Sequence, residues 1–155
     1  MGKQGTETRG ELQKDRMLRA AAQCFNEKGF SGTSLKDVSA ILGLTDAALY
    51  YYVRNKEELV YLCYLRAGDV GRDAMDRAIA DGGSGLAIIR RYLRYHLDAM
   101  TGDRGPIAIM SEIPSLKPGH RAEILDVSRR HSARFEELLE QGIEDGSIRP
   151  CNVRM

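Results

Sequence analysis

Apolar residues recur every three or four positions along most of this chain, and polar residues fill the positions between them. This period is typical of amphipathic helices, and no segment shows the strict alternation of a half-buried strand. A first helix over about residues 9–28 follows the pattern, and Gly29 ends it. Its apolar face consists of Leu18, Ala21, Ala22 and Phe25. The pattern predicts an all-α fold.

Two short helices separated by a glycine turn come next. Ser34 is a good N-cap, and Asp37 three residues later completes a capping box. Gly43 ends this helix, because glycine takes the left-handed conformation of a helix C-terminus without strain. Thr45 then caps a second short helix over residues 46–53. The spacing predicts two helices that cross at a defined angle.

The second short helix is small at its N-terminal end and carries Tyr50, Tyr51 and Tyr52 at its C-terminal end. Three consecutive residues spread over about 200° of a helix, so at least one of these tyrosines is expected at the surface. Small side chains let a helix approach base edges in the major groove, and phenolic hydroxyls bond phosphate oxygens. This helix is therefore a candidate DNA-binding element.

A long helix over about residues 56–81 follows, with Asn55 as its cap and Glu58 at its third position. A glycine-rich linker at residues 82–85 separates it from three further helices. These are predicted over residues 86–100, 107–113 and about 120–145. In the first of them, one apolar stripe is expected to face the core or a pocket; it consists of Leu86, Ile89, Leu93, Leu97 and Met100.

Five short runs stand at fixed spacing across residues 29–59. They are Gly29-Phe30-Ser31-Gly32-Thr33-Ser34, Asp37-Val38, Gly43-Leu44-Thr45, Leu49-Tyr50-Tyr51-Tyr52 and Lys56-Glu57-Glu58-Leu59. Together they resemble the N-terminal helix-turn-helix of the tetracycline-repressor (TetR) family. The resemblance implies a three-helix DNA-binding domain at residues 1–58, which a long helix joins to a helical effector-binding and dimerisation domain at residues 59–155. It also implies a transcriptional regulator, in the usual case an effector-released repressor that binds a near-palindromic operator in double-stranded DNA.

The same resemblance implies which residues touch DNA. The expected contacts are Thr33, Tyr50, Tyr52 and Lys56 at phosphates and Thr45, Asp46, Ala47, Ala48 and Tyr51 at bases, and Ser34 is a further expected DNA contact. Asp46 departs from many relatives, which carry a neutral or basic residue there. Its carboxylate either accepts from a cytosine amino group or favours the helix N-terminus while repelling phosphate. Val53 stands where the family usually has Phe, a change expected to affect packing alone.

The charge of the chain gives little support to DNA binding. The net charge is +1, and residues 1–60 hold nine Lys or Arg against eight Asp or Glu. DNA-binding domains often carry a clear basic excess, so the motif carries this hypothesis rather than the charge. The alternative is a helical small-molecule-binding or interaction module that has lost DNA binding.

Apolar and aromatic side chains on the later helices are candidates for an effector pocket. The candidates are Tyr92, Leu93, His96, Met100, Met110 and Phe135. The same stripes also serve as ordinary core, so each of these residues keeps that second interpretation. Six methionines and few polar groups favour a small apolar or acyl-type effector.

No catalytic or metal-binding constellation is visible in the sequence. His96, His120 and His131 lack metal-ligand spacing, and no nucleophile elbow is present. We therefore expect no enzyme activity, no metal and no cofactor. Cys24, Cys63 and Cys151 are an odd number without metal spacing and are expected to be reduced thiols.

The N-terminus lacks a signal-peptide core, and no apolar run reaches the roughly 18 residues of a membrane span. The expected compartment is the cytoplasm, with no membrane partner. Proteins that this chain resembles usually continue for two more helices, which pair two subunits in a four-helix bundle. We expect a C-terminally truncated chain whose full-length parent is a homodimer, and apolar surface left exposed on the later helices.

Overall fold

The fold is given by a computed structural model, which describes residues 9–101 and 110–154. Within these ranges the chain forms six α-helices and one 3-10 helix and no strand, which confirms the all-α prediction. The α-helices are α1 (Arg9–Gly32), α2 (Leu35–Leu42), α3 (Asp46–Tyr50), α4 (Lys56–Ala80), α5 (Gly85–Thr101) and α6 (Pro118–Glu144), and the 3-10 helix is Met110–Ser115.

The predicted caps at the starts of α2, α3 and α4 and the predicted end of α2 are confirmed. Ser34 forms both bonds of the capping box with Asp37, and Gly43 ends α2 at φ 63°. The Thr45 side chain accepts from the Ala48 amide at the start of α3. Asn55 accepts from the Glu58 amide at the start of α4. The Glu58 carboxylate accepts from the Arg54 amide at 2.6 Å, so the reciprocal bond falls one residue before the predicted cap.

Gly29 interrupts the first helix as predicted. Its backbone has φ 70° and ψ 176°, and the last residues of α1 continue beyond this kink to Gly32. The rings of Phe25 and Phe30 stack across it, with centroids 6.4 Å apart. This apolar contact is the one that accompanies a glycine-terminated helix end, and it fixes the direction in which the chain enters α2.

Two hydrophobic cores share α4. Leu59, Val60 and Cys63 in its first half pack with α1, α2 and α3, and Leu116 and Ile124 from the later chain join that core. Ala74, Met75 and Ala78 in its second half pack with α5 and α6. A single continuous helix therefore contributes to both cores.

Some predicted boundaries were wrong. The α-helical residues of α3 stop at Tyr50 rather than residue 53, although the Val53 amide still donates to Leu49 O at 3.2 Å. The chain then changes direction. Val53 is buried, and Asn55 caps the next helix, α4. The predicted helix at residues 107–113 overlaps the 3-10 helix, which extends through Pro114, while residues 107–109 lie outside the described ranges. Helix α6 begins at Pro118 because proline suits a first helical position.

Helix α5 buries a different face from the predicted apolar stripe. The residues that α5 buries are Gly85, Ile88, Ile89 and Tyr92. Leu86, Leu93, Leu97 and Met100 are between 38% and 57% exposed. Helix α5 lies between α4 and α6, so only the residues on its two contact sides are covered. The prediction that this stripe faces the core is wrong for these four residues, whereas the expected exposed apolar surface is present.

The residues treated as a linker include a buried helix contact. A Cβ atom on Gly85 would lie 2.3 Å from the backbone nitrogen of Gly142 in α6, so only glycine fits. The Gly85 amide donates to the Asp145 carboxylate at 2.7 Å, and the Leu86 amide donates to the Ser147 hydroxyl at 3.2 Å. The end of α6 thus caps the start of α5.

Candidate nucleic-acid interface and effector region

Helix α3 presents tyrosines at the protein surface. Tyr50 is 56% exposed and Tyr51 is 86% exposed, whereas Leu49 is fully buried and anchors the helix. Tyr52 is half-buried, and its ring meets the edge of the Tyr51 ring with centroids 5.3 Å apart. Thr45 and Ala47 are exposed at the other end of the helix, and Ala48 is half-buried. The helix therefore exposes small and aromatic side chains on its surface while the buried Leu49 anchors it to the core.

The turn between α2 and α3 is held by backbone and side-chain bonds. The Gly43 amide donates to Ala40 O at 3.2 Å, and the Leu44 amide donates to Ser39 O at 3.0 Å. The buried Ser39 hydroxyl donates to the Asp46 carboxylate at 2.6 Å and joins the two helices directly. Of the two roles considered for Asp46, this bond supports a structural one at the start of α3.

Ser34 and Asp37 form a polar group at the start of α2. The Ser34 hydroxyl is 2.5 Å from Asp37 Oδ2, and the Lys28 ammonium donates to Asp37 Oδ1 at 2.7 Å. These bonds, that of Lys28 first, hold the pKa of the Asp37 carboxyl well below its usual value. Ser34 is exposed and lies at a helix N-terminus, a favourable position for a phosphate.

The structure corrects the prediction for Thr33. This residue is only 3% exposed, and its hydroxyl oxygen lies 3.0 Å from Cys24 O and 2.8 Å from Gly29 O. The hydroxyl satisfies carbonyl groups at the kinked end of α1, where helical partners are missing. The side chain is therefore engaged inside the protein rather than presented at its surface.

Lys56 has a structural role that the sequence did not reveal. Its ammonium donates to Phe30 O at 2.7 Å and to Thr33 O at 3.0 Å, and it lies 4.2 Å from the centroid of the Phe30 ring. Two of its three N–H groups are thus used to hold the α1–α2 turn against the start of α4. One N–H is left for a phosphate.

Three of the predicted effector residues lie together around a buried tyrosine. The Tyr92 hydroxyl is 2.8 Å from His131 Nε2, the His96 ring stacks on Tyr92 at 5.6 Å, and Phe135 meets its edge at 5.9 Å. Burial lowers the pKa of His96 and of His131, and the neighbouring His96 and Arg134 lower that of His131 further. His131 was not among the predicted pocket residues, although it lies one helical turn before Phe135 on the same face.

Two of the other predicted effector residues lie away from this group. Leu93 and Met100 belong to the exposed stripe of α5, about one-third of a turn away from the buried face. Met110 lies at the start of the 3-10 helix, and its side chain is outside the described part of the chain. Tyr92, His96 and Phe135 are thus the predicted residues that lie together with His131.

A cleft of about 180 Å³ lies between α4 and α6 next to this cluster. Its lining consists of Leu65, Gly68, Asp69, Arg72, Val127, Arg130, His131 and Arg134. A Cβ atom on Gly68 would lie 2.7 Å from the Val127 side chain, so the two helices approach closely at its floor. His131 borders both the cleft and the Tyr92 cluster, and a ligand in the cleft would contact the same histidine.

Within the described ranges, no three His, Cys, Asp or Glu side chains are grouped to hold a metal ion. Cys24 and Cys63 are buried free thiols, Cys151 is an exposed one, and burial raises the pKa of Cys63 to about 12. No described helix has the length and apolar character needed to cross a bilayer.

The exposed α3, the fixed glycine corner and the bracing α1 define a helix-turn-helix protein. Comparisons with known proteins agree: residues 17–61 match "Bacterial regulatory proteins, tetR family", and residues 82–155 match "Tetracyclin repressor-like, C-terminal domain". The structure superimposes on the TetR family regulator PfmR from Thermus thermophilus with a TM-score of 0.77 and 31% identity, covering 89% of this chain and 76% of PfmR. The chain therefore belongs to the TetR family, as its sequence predicted, and is a DNA-binding transcriptional regulator.

Two further relatives show how far the similarity extends. The regulator IcaR from Staphylococcus epidermidis is 44% identical over 46 residues, which are 30% of this chain and 25% of IcaR. AibR in complex with isovaleryl coenzyme A and operator DNA shares the fold with a TM-score of 0.75 and 24% identity, covering 90% of this chain and 77% of AibR. The match with IcaR thus covers a quarter of IcaR, whereas the superpositions cover about three quarters of PfmR and of AibR. IcaR and PfmR are transcriptional regulators rather than enzymes.

Proposed function

We propose that this protein is a cytoplasmic repressor that binds a near-palindromic operator as a homodimer and is released by a small molecule. The observation that carries the proposal is the exposure of Tyr50 and Tyr51 on a helix fixed by a buried Leu49 and a glycine corner. Two such helices would enter successive major grooves about 34–36 Å apart. In this proposal residues 1–58 form the DNA-binding domain, and residues 59–155 bind the effector and form the dimer.

The contacts proposed for DNA are taken from the family resemblance, and the exposed or half-buried position of their side chains supports them. Thr45, Ala47, Ala48 and Tyr51 are proposed to face the bases. Ser34, Tyr50, Tyr52 and the remaining N–H of Lys56 are proposed to bond phosphates. Thr33 and Asp46 support the geometry from within the protein. We propose a small set of contacts aided by helix N-termini, because the near-neutral charge provides little general attraction to DNA.

The test compares two hydroxyl deletions. A duplex is first selected from random sequence with the wild-type chain, and Tyr50→Phe and Tyr95→Phe are then titrated against it by fluorescence anisotropy. Tyr50→Phe is expected to weaken binding about tenfold, since a hydrogen bond to a charged phosphate is lost. Tyr95, whose hydroxyl bonds Asp81 in the later helices, is the control and leaves affinity unchanged. Failure of the wild-type chain to select any duplex would contradict operator binding.

The effector is proposed to bind among α4, α5 and α6, against Tyr92, His96, His131 and Phe135. An apolar or acyl-type molecule suits the aromatic surroundings, with a polar group facing the histidines. The complex of AibR with isovaleryl coenzyme A supports an acyl-type ligand by analogy. An effector that binds one orientation of α4 more tightly would shift the population away from the DNA-binding spacing. Ligand-dependent loss of the anisotropy signal tests this step.

A second candidate is a small-molecule-binding module that does not bind DNA. The nearly equal numbers of acidic and basic residues in residues 1–60 favour it, as does Asp46 near the DNA-facing surface. Thermal stabilisation by acyl compounds without any selected duplex would support this alternative. We expect no catalytic activity in either case, and no turnover of such compounds.

A further inference from the structure

Glu57, the second residue of α4, is bound by the beginning of α6. Its Oε1 atom accepts from the Lys117 amide at 2.9 Å and from His120 Nδ1 at 2.8 Å. A carboxylate can only accept, so Nδ1 carries the hydrogen in this contact. The Glu57 side chain is only 13% exposed, and the contact is therefore shielded from water. It joins two residues 63 positions apart in the chain.

Tyr61, one turn further along α4, contacts the face of the same histidine ring. Its ring stacks on the His120 ring with centroids 3.9 Å apart and an interplanar angle of 7°. The Tyr61 hydroxyl also donates to Glu123 Oε2 at 2.7 Å. Two side chains of α4 thus bind the first turn and a half of α6, and His120 is fixed both by a hydrogen bond and by stacking.

The same turn of α4 is attached to the DNA-binding helices. Lys56, the residue before Glu57, bonds the carbonyl groups of Phe30 and Thr33 in the α1–α2 turn. Leu116, next to Lys117, is buried in the core that also contains Leu49 of α3. The start of α6 and the α1–α2 turn are therefore both bound by the first turns of α4.

The attachment of Glu57 is incomplete. In the part of the chain that the structure describes, its Oε2 atom is buried and has no hydrogen-bond partner. The Lys117 ammonium is 3.8 Å away, a distance that gives charge attraction without a hydrogen bond. A buried carboxylate oxygen without a hydrogen bond costs free energy. A shift of α6 that brings the Lys117 ammonium closer to Glu57 Oε2 would therefore form a favourable hydrogen bond.

We infer that the contact of Glu57 and Tyr61 with His120 transmits displacement of α6 to the DNA-binding helices. His120 is a positioning residue that acts through Glu57 and never touches DNA itself. The inference rests on the proposed function, since it takes DNA affinity as the output. Without the contact, the first turn of α4 samples more orientations, and the binding-competent fraction of the protein falls.

The test is a double-mutant cycle in the full chain with Glu57→Ala, His120→Ala and the double variant. Affinity for the duplex selected with the wild-type chain is the first readout, and amide hydrogen exchange over residues 46–59 is the second. Each single variant is expected to weaken binding about fivefold and to speed exchange in the first turn of α4. The double variant is expected to be no weaker than either single one, because both remove the same contact.

Two further variants separate positioning from general stability. His120→Asn retains a donor N–H near the position of Nδ1 and is expected to recover part of the affinity. Arg129→Ala removes an ion pair with Asp126 that lies within α6, and it serves as the matched control with wild-type affinity. Unchanged or increased affinity in His120→Ala, or multiplied losses in the double variant, would overturn the inference. If the wild-type chain selects no duplex, the proposed function fails instead, and unchanged exchange in His120→Ala would still refute the mechanical link.

Discussion

At the scale of single residues, three polar side chains that the family pattern assigns to DNA make hydrogen bonds within the protein. Thr33 closes the end of α1, Asp46 ties α3 to Ser39, and Lys56 holds the carbonyl groups of the α1–α2 turn. Each of these bonds uses a group that would otherwise compete for phosphate or a base. Thr33 and Asp46 use their polar atoms inside the protein, whereas Tyr51 is exposed, so substitutions at these positions are expected to have different effects.

Thr33→Val is expected to destabilise the protein without removing a DNA contact. Valine has nearly the same shape, but it lacks the single hydroxyl proton that the Cys24 and Gly29 carbonyl groups share, at a cost of about 2 kcal/mol in the free energy of unfolding. Urea unfolding gives the loss, and anisotropy well below the transition gives the affinity. A strong loss of affinity in fully folded Thr33→Val would restore the original prediction of a direct contact.

Tyr51→Ala is expected to do the opposite. Its side chain is 86% exposed, so truncation leaves the free energy of unfolding almost unchanged. Loss of a base-facing ring is expected to weaken binding to the selected duplex by about 1–3 kcal/mol and to relax its sequence preference. Repeating the duplex selection with the variant measures both effects, and an identical preference would show that Tyr51 does not read bases.

Asp37 predicts an acid-sensitive contribution to stability. Lys28 and Ser34 depress the pKa of its carboxyl below the ordinary value of 3.8. A carboxyl whose pKa is lower in the folded state than in the unfolded state stabilises the fold at pH values above its pKa in the unfolded state. That stabilisation is lost as the pH falls through the pKa of the folded state. Asp37→Asn is therefore expected to be less stable than wild type at pH 7, and the difference should shrink below about pH 4. Urea midpoints at pH 7 and pH 3 check the sign.

At the scale of helices, the sequence predicted local features better than distant ones. The caps at Ser34, Thr45 and Asn55 and the glycine corner depend on neighbours within four residues, and the structure confirms them. The buried face of α5 and the contact of Glu57 with His120 depend on helices many residues away. Amphipathic periodicity shows that a helix has an apolar face, but it does not reveal how much of that face is covered.

Gly85 shows the same limit and gives a test at this scale. Its position in a glycine-rich run suggested a flexible linker, yet it packs against the Gly142 backbone. Gly85→Ala is expected to cost about 1–3 kcal/mol, because backbone atoms of α6 must move apart. Gly119→Ala, whose Cβ would meet nothing within 4 Å, is the matched control and stays near neutral. Equal stability of the two variants by thermal or urea unfolding would refute the close packing.

At the scale of the whole molecule, the uncovered side of α5 determines how chains behave in solution. Leu86, Leu93, Leu97 and Met100 lie within about 60° of one another around the helix, and all four are exposed. Water contact with such a patch is unfavourable, so we expect concentration-dependent self-association.

Leu93→Gln combined with Leu97→Gln is expected to shift sedimentation toward the monomer. Neither side chain lies in the buried cluster of α4, α5 and α6, so thermal stability at low concentration should hold. Arg90→Gln, an exposed residue of α5 outside this stripe, serves as the control for surface changes as such. If the double leucine variant associates as strongly as wild type, another surface joins the chains, and the homodimer must be sought elsewhere in the fold.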